Sequence, residues 1–170
     1  MKIIKITLSL LLITSLVVPS YGKSTSIDQR AVIDSLNNQV KLLTEAQQKC
    51  ITNKKLVADF YQQLFGDKDI EAIDKYIGST YIQHNPMLPD GRDTLKNTIK
   101  IWFKGAQKEK INIQHLSADG DLVYIHTKAS FGGKTSSVID IFRLENGKIV
   151  EHWDIIQEVP AKSANPHPMF

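Results

Sequence analysis

Asp140, His152 and Asp154 bring two carboxylic acids and an imidazole together near the C-terminal end of the chain, and Tyr61 and His84 add a phenol and a second imidazole from further upstream. Groups of these kinds suit proton transfer. A carboxylate or imidazole within hydrogen-bond reach of a carbon acid can act as base, and neutral donors aimed at a carbonyl oxygen can stabilise the charge that develops there. Each residue also has a plainer role. Asp140 lies between Ile139 and Ile141, and an acid in such a setting is either a hydrogen-bonded structural residue or part of a pocket. Asp154 could pair with a surface lysine, His84 could stabilise the turn at Asn85-Pro86, and Tyr61 taken alone reads as a core residue.

The elements that must position these groups follow from periodicity and turn chemistry. Val32, Leu36, Val40, Leu43 and Cys50 recur at helical spacing, which predicts an N-terminal helical extension over residues 23–51 that packs on the domain or on its copy in a second chain. The main domain is expected over 52–159. Leu56, Val57, Phe60, Tyr61 and Leu64 give one apolar helix face. Asp69 is placed to cap a short second helix carrying Ile70, Ile73 and Ile77, which Gly78 ends, and Asp93 to cap a third carrying Leu95, Ile99, Trp102 and Phe103. Tyr81 to His84 reads as a short strand stopped by Asn85-Pro86. Beyond the third helix, Lys110–Ser117, Leu122–Phe131, Thr135–Leu144 and Lys148–Gln157 read as strands joined at Asp119-Gly120, Gly132-Gly133 and Asn146-Gly147, a meander of hairpins.

The fold class is therefore α+β: a curved antiparallel sheet closing into a cone against three helices, with the extra helix in front. Period-2 alternation places Asp140, Phe142 and Leu144 on one face of their strand. On the last strand it places Val150, His152, Asp154 and Ile156 on one face and Ile149, Glu151, Trp153 and Ile155 on the other. Both faces carry apolar residues, so alternation does not identify the interior. His126 is expected to face solvent or a partner subunit. The tail, residues 160–170, ends in Met169 and Phe170 and is expected to lie over a neighbouring subunit.

The run Val138-Ile-Asp-Ile-Phe-Arg-Leu144, followed by Asn146-Gly-Lys-Ile-Val-Glu-His-Trp-Asp154, is similar to the C-terminal signature of SnoaL-like polyketide cyclases, within the nuclear transport factor 2-like superfamily of cone-shaped α+β domains. Asp69-Ile-Glu-Ala-Ile73 and Tyr81-Ile-Gln-His-Asn-Pro86 agree in order. The chain also resembles the ketosteroid isomerases, and that resemblance implies an oxyanion hole made by Tyr61 and Asp140, with Asp140 kept neutral by burial so that it donates. It departs from them where they carry a basic aspartate before proline, since Asn85 stands there and an amide cannot take a proton. The base would be His84, His152 or Asp154, and the cyclase resemblance implies Asp154. Phe60, Asn85, Trp102, Phe142 and Ile156 are the candidate pocket wall for a small apolar carbonyl compound, bound with or without turnover.

Other chemistries lack their motifs. No H-E-x-x-H or clustered Cys/His spacing occurs; His152 and Asp154 could supply two ligands but need a third from elsewhere, so no metal is expected, and no cofactor. There is no G-x-S-x-G elbow, and Gly132-Gly133-Lys134 is a turn rather than a phosphate loop. Cys50 is the single cysteine, so no internal disulfide can form.

Lys2 and Lys5 precede an uncharged run from Ile6 to Val18, followed by Pro19, Ser20 and Gly22. Residues 1–22 read as a signal peptide, which implies a secreted or periplasmic protein with no stable membrane insertion once the leader is removed. Without Lys2 and Lys5, the 21 basic residues become 19 against 18 acidic ones, a net charge of +1. No basic block with interleaved aromatics exists, so no nucleic-acid partner is expected. The expected partners are a small molecule and a second copy of the chain, with the outer sheet face as the natural dimer surface.

Overall fold

The computed structural model describes residues 28–131 and 133–170; the expected signal peptide lies outside the described residues. A single helix, α1, runs from Gln29 to Tyr61. The extension and the first helix of the domain are thus one uninterrupted rod, with no break at 51/52. Asp28 caps it, its carboxylate accepting from the amides of Arg30 at 3.0 Å and Ala31 at 3.5 Å, which satisfies donors that have no partner within the helix. At its other end α1 passes into a π-helical turn, Gln62–Gly66.

Helix α2 is short, Ala72–Tyr76, and strand β1, Ile77–Gln83, follows without a loop. The strand expected from Tyr81 therefore starts earlier, and Ile77 belongs to it. Gly78 does not end a helix but lies inside β1, where a Cβ would sit 3.1 Å from Val150 Cγ1. The glycine allows this close approach of the two strands. Helix α3 spans Arg92–Trp102 with Gly91 at its N-cap, so Asp93 falls in the first turn instead of capping. Four strands complete the fold: β2 Asn112–Asp119, β3 Leu122–Phe131, β4 Lys134–Glu145 and β5 Lys148–Glu158.

The five strands form one curved sheet in the order β1-β5-β4-β3-β2. Strands β2 to β5 are the antiparallel meander that the turn residues predict, while β1 lies parallel to β5. The β4–β5 turn has Asn146 at φ 50° and Gly147 at φ 73°, the paired left-handed conformation that matches strand twist. The same hairpin carries a register shift. Arg143 pairs with Glu151 and Leu144 with Ile149, leaving Val150 as the extra residue of a β-bulge.

The core lies between the helices and the concave sheet face. Val57, Phe60, Tyr61 and Leu64 of α1 and the turn after it pack with Ile73, Ile99, Val123, Ile125, Phe142 and Ile149. Burial resolves the alternation of β4: Val138, Asp140, Phe142 and Leu144 point inward and are buried. The bulge changes the reading of β5, because Ile149 and His152 are both buried on the inner side although they are an odd number of residues apart.

Candidate active site

Asp140 sits mid-strand on β4, directly opposite Asp154 of β5, and Phe142 is directly opposite His152. Tyr61, at the end of α1, reaches the same point from above the sheet. Its hydroxyl donates to Asp140 Oδ2 at 2.9 Å and lies 3.5 Å from Thr127 Oγ1. Asp140 Oδ1 is 2.9 Å from His152 Nε2. Tyr61, Asp140 and His152 are 7%, 5% and 7% exposed. The sequence places these groups on separate elements, and the fold brings them into one chain of hydrogen bonds.

The end of β1 adds the piece that fixes where protons sit. The amide of Asn85 donates to Gln83 Oε1 at 2.9 Å, and Gln83 Nε2 donates to the Tyr81 hydroxyl at 3.1 Å. A backbone N–H can only donate, so the Gln83 carboxamide has one orientation, oxygen toward Asn85. That same oxygen is 3.0 Å from His152 Nδ1, which must therefore carry a proton. The proton between Nε2 and Asp140 can then reside on either atom: a neutral acid facing a neutral imidazole, or a carboxylate facing imidazolium. In both forms Asp140 Oδ2 accepts from Tyr61.

Burial, and next the nearby Asp140 carboxyl, push the Tyr61 phenol well above its ordinary range. Burial likewise raises Tyr81, with smaller contributions from Asp140 and Asp154. Both tyrosines keep their protons at any physiological pH. Asp154 is half-buried. Its Oδ2 accepts from Asn85 Nδ2 at 2.6 Å, and Asn85 Oδ1 in turn accepts from the Met87 amide at 2.8 Å. Asn85, where a base would stand in an isomerase-like arrangement, holds a carboxylate instead.

The other candidates divide. Phe142 stacks on His152 with ring centroids 4.8 Å apart, so it orients the imidazole. Phe60 is 2% exposed and packs edge-on against Phe142 at 5.8 Å, which makes it core rather than an open wall. Trp102 and Ile156 are 55% and 51% exposed. His84 is not brought to the cluster: its Nε2 lies 2.9 Å from Glu151 Oε1 and its ring stacks on Trp153 at 4.6 Å, on the outer side of the sheet, because alternation past the bulge turns Glu151 and Trp153 outward. His126 is also on that side, bonded to Ser137 at 2.7 Å and to His115 at 2.9 Å. The tail packs on its own chain, with the Phe170 ring 6.0 Å from that of His126.

Gln83, Tyr81 and Thr127 belong to the site although the sequence does not single them out. Tyr81 and Gln83 alternate on one strand immediately before His84-Asn85, and that period is the signal available for them. Among the described residues, Asp140, His152 and Asp154 are the one group that could hold a metal ion, with donor atoms within 4.8 Å of one another. Asp140 is thus the third candidate ligand that His152 and Asp154 lacked in the sequence, although its Oδ1 is already hydrogen-bonded to His152 Nε2 at 2.9 Å. Two clefts open away from this cluster along α1; one, about 770 Å³, is lined by Gln48, Lys49, Asn53, Asp121, Arg143 and Glu145, among others.

The model of the SnoaL-like polyketide cyclases matches residues 55–164, and the chain belongs to that family. Solved structures share the fold. TsrD from Streptomyces laurentii is 18% identical, with 62% of this chain and 88% of that one covered and a TM-score of 0.51. An NTF2-like protein from Cytophaga hutchinsonii is 20% identical over 62% and 89% of the two chains, TM-score 0.53. An LEH-like epoxide hydrolase from M. tuberculosis is 16% identical over 64% and 85%, TM-score 0.52. No curated protein matches the chain significantly.

Proposed function

We propose that the protein is an exported, homodimeric enzyme that binds a small, largely apolar carbonyl compound in the cone and catalyses a cofactor-free proton transfer, leading to aldol closure or double-bond isomerisation. The observation that carries this is the buried sequence Tyr61–Asp140–His152 standing across the strand from a half-buried carboxylate, Asp154. Asp154 is the base. Its Oδ2 is held by Asn85, and its other oxygen takes no hydrogen bond from the described residues. The α-proton of the substrate passes to that oxygen. The enolate oxygen replaces Asp140 Oδ2 as acceptor of the Tyr61 hydroxyl, in a setting where low polarity strengthens the hydrogen bond. Export rests on the leader-like residues 1–22.

Exchange of α-protons tests the chemistry without the natural substrate. Simple cyclic ketones incubated in D₂O with the protein should gain deuterium, followed by NMR, and Asp154→Asn and Asp140→Asn should each abolish the gain while retaining ligand affinity. A non-catalytic ligand-binding module is the second reading, favoured by one observation: Tyr61, Asp140 and His152 satisfy one another. Exchange no faster than in buffer, together with tight ketone binding, would establish it.

A further inference from the structure

Every residue from Asp28 to Lys49 is exposed, so roughly the first 30 Å of α1 projects past the domain. A lone helix of that length is marginal in water and depends on packing of an apolar face. Such a face exists and is bare: Val32, Ile33, Leu36, Val40 and Leu43 are between 44% and 71% exposed. Ile33, Leu36, Val40, Leu43, Gln47 and Cys50 follow one another at alternating steps of three and four residues, the a and d positions of a heptad.

We infer that this stripe is a dimer seam that takes the same stripe of a second copy in parallel, which specifies the surface of the homodimer proposed above. Four features select a copy of the chain. The spacing is self-complementary, since knobs at a and d fit holes formed by the same positions on an identical helix. The flanking e and g positions, Val32, Asn37, Gln39, Thr44, Ala46 and Ile51, carry no charge, so identical helices meet without like-charge repulsion. A lipid surface is disfavoured because Arg30, Lys41 and Lys49 are interleaved with Asp34 and Glu45, where membrane-lying helices concentrate basic residues on the polar face. The outer sheet face is already covered in part by the chain's own tail, with Phe170 against His126 and Lys128.

Gln47 sets the orientation. In a parallel pair it faces its own copy, and two carboxamides can hydrogen-bond each other; antiparallel alignment of the stripes sets it opposite Leu36 and leaves the amide unpaired. The domain lies on a different side of the helix, held by the Lys49–Asp121 ion pair at 2.6 Å and the Asn53–Gly120 hydrogen bond at 3.0 Å, so a second helix can approach. Parallel packing also brings Cys50 near its counterpart.

Sedimentation of the purified protein at about 100 µM should give twice the chain mass, and the double variant Leu36→Glu, Val40→Glu should sediment as monomer with the melting temperature of its domain retained, because both positions lie outside the core. A short bismaleimide should cross-link Cys50 to Cys50 in the unmodified protein. A dimer that survives the double substitution would overturn the seam while leaving the homodimer standing. A monomeric unmodified protein would overturn both, and co-flotation of that monomer with phosphatidylglycerol/phosphatidylethanolamine vesicles would assign the stripe to a membrane surface. A dimer lost on substitution but never cross-linked at Cys50 would overturn the parallel orientation.

Discussion

Gln83 Oε1 stands 3.0 Å from His152 Nδ1 and 2.9 Å from the amide nitrogen of Asn85, so one carbonyl oxygen dictates the tautomer of the buried imidazole. Removing that oxygen should free the ring. In Gln83→Leu, ¹⁵N NMR of His152 should show the loss of the Nδ1-protonated form that dominates in the unmodified protein, and the fold should lose about 1–3 kcal/mol because Nδ1 no longer has its buried acceptor. Retention of the same tautomer in the variant would show that the glutamine is not what sets it.

Tyr61→Phe deletes one hydroxyl and leaves Asp140 Oδ2 without its donor. Chemical denaturation should report about 1–3 kcal/mol of lost stability, and ketone α-exchange should fall with it. A variant as stable as the parent would mean that Oδ2 finds another partner on the spot.

Phe60 and Trp102 both look like pocket aromatics in the sequence, and their burial separates them. Phe60→Ala should cost about 3–5 kcal/mol through the cavity it leaves. Trp102→Ala should stay within about 0.5 kcal/mol, as surface changes generally do. Equal costs would contradict the packing of these two rings.

His126 and Glu151 are among the groups that make stability depend on pH on the acid side. His126 is held below its ordinary value by burial and then by the neighbouring His115. Its native form binds protons less readily than the unfolded form, so its contribution is complete above about pH 6.5 and declines as the pH falls below that. Glu151 is depressed by hydrogen bonds from Arg143 and His84. Its contribution is present above about pH 4.3 and is lost as the pH drops through the lower native value. Melting temperature measured against pH should decline in both windows, with the upper decline reduced in His126→Gln and the lower one in Glu151→Gln. An unchanged profile in either variant would remove that residue from the account.

The meander is legible in the sequence because each hairpin carries its own turn: Asn146-Gly147 adopts the left-handed pair that its residue types favour, and β3 begins and ends where alternation places it. The meeting of Tyr61 with Asp140 is legible only through family resemblance. What alternation misses has a local cause. Val150 is an extra residue in β5, and no composition signal marks a bulge, so period 2 puts Ile149 on the wrong side of the strand. Gly78 reads as a helix stop because glycine more often ends helices than relieves crowding between strands. Gln83 carries no signal beyond its strand period, since its importance comes from an amide two residues on and an imidazole 69 positions away, a relation that exists only after folding.

The parallel pairing of β1 with β5, with Ile77 beside Ile149 and Gln83 beside His152, governs when the buried cluster is assembled. This contact joins segments from opposite ends of the domain, whereas the hairpins close locally and early. Long-range pairings of this sort form late and slow the folding of the domains that contain them. A nascent or truncated chain ending before Ile149 could already hold most of its helices and the first hairpins and still lack the hydrogen bonds of His152 to Asp140 and Gln83. The buried cluster is complete only with the last strand, so a half-made protein lacks it.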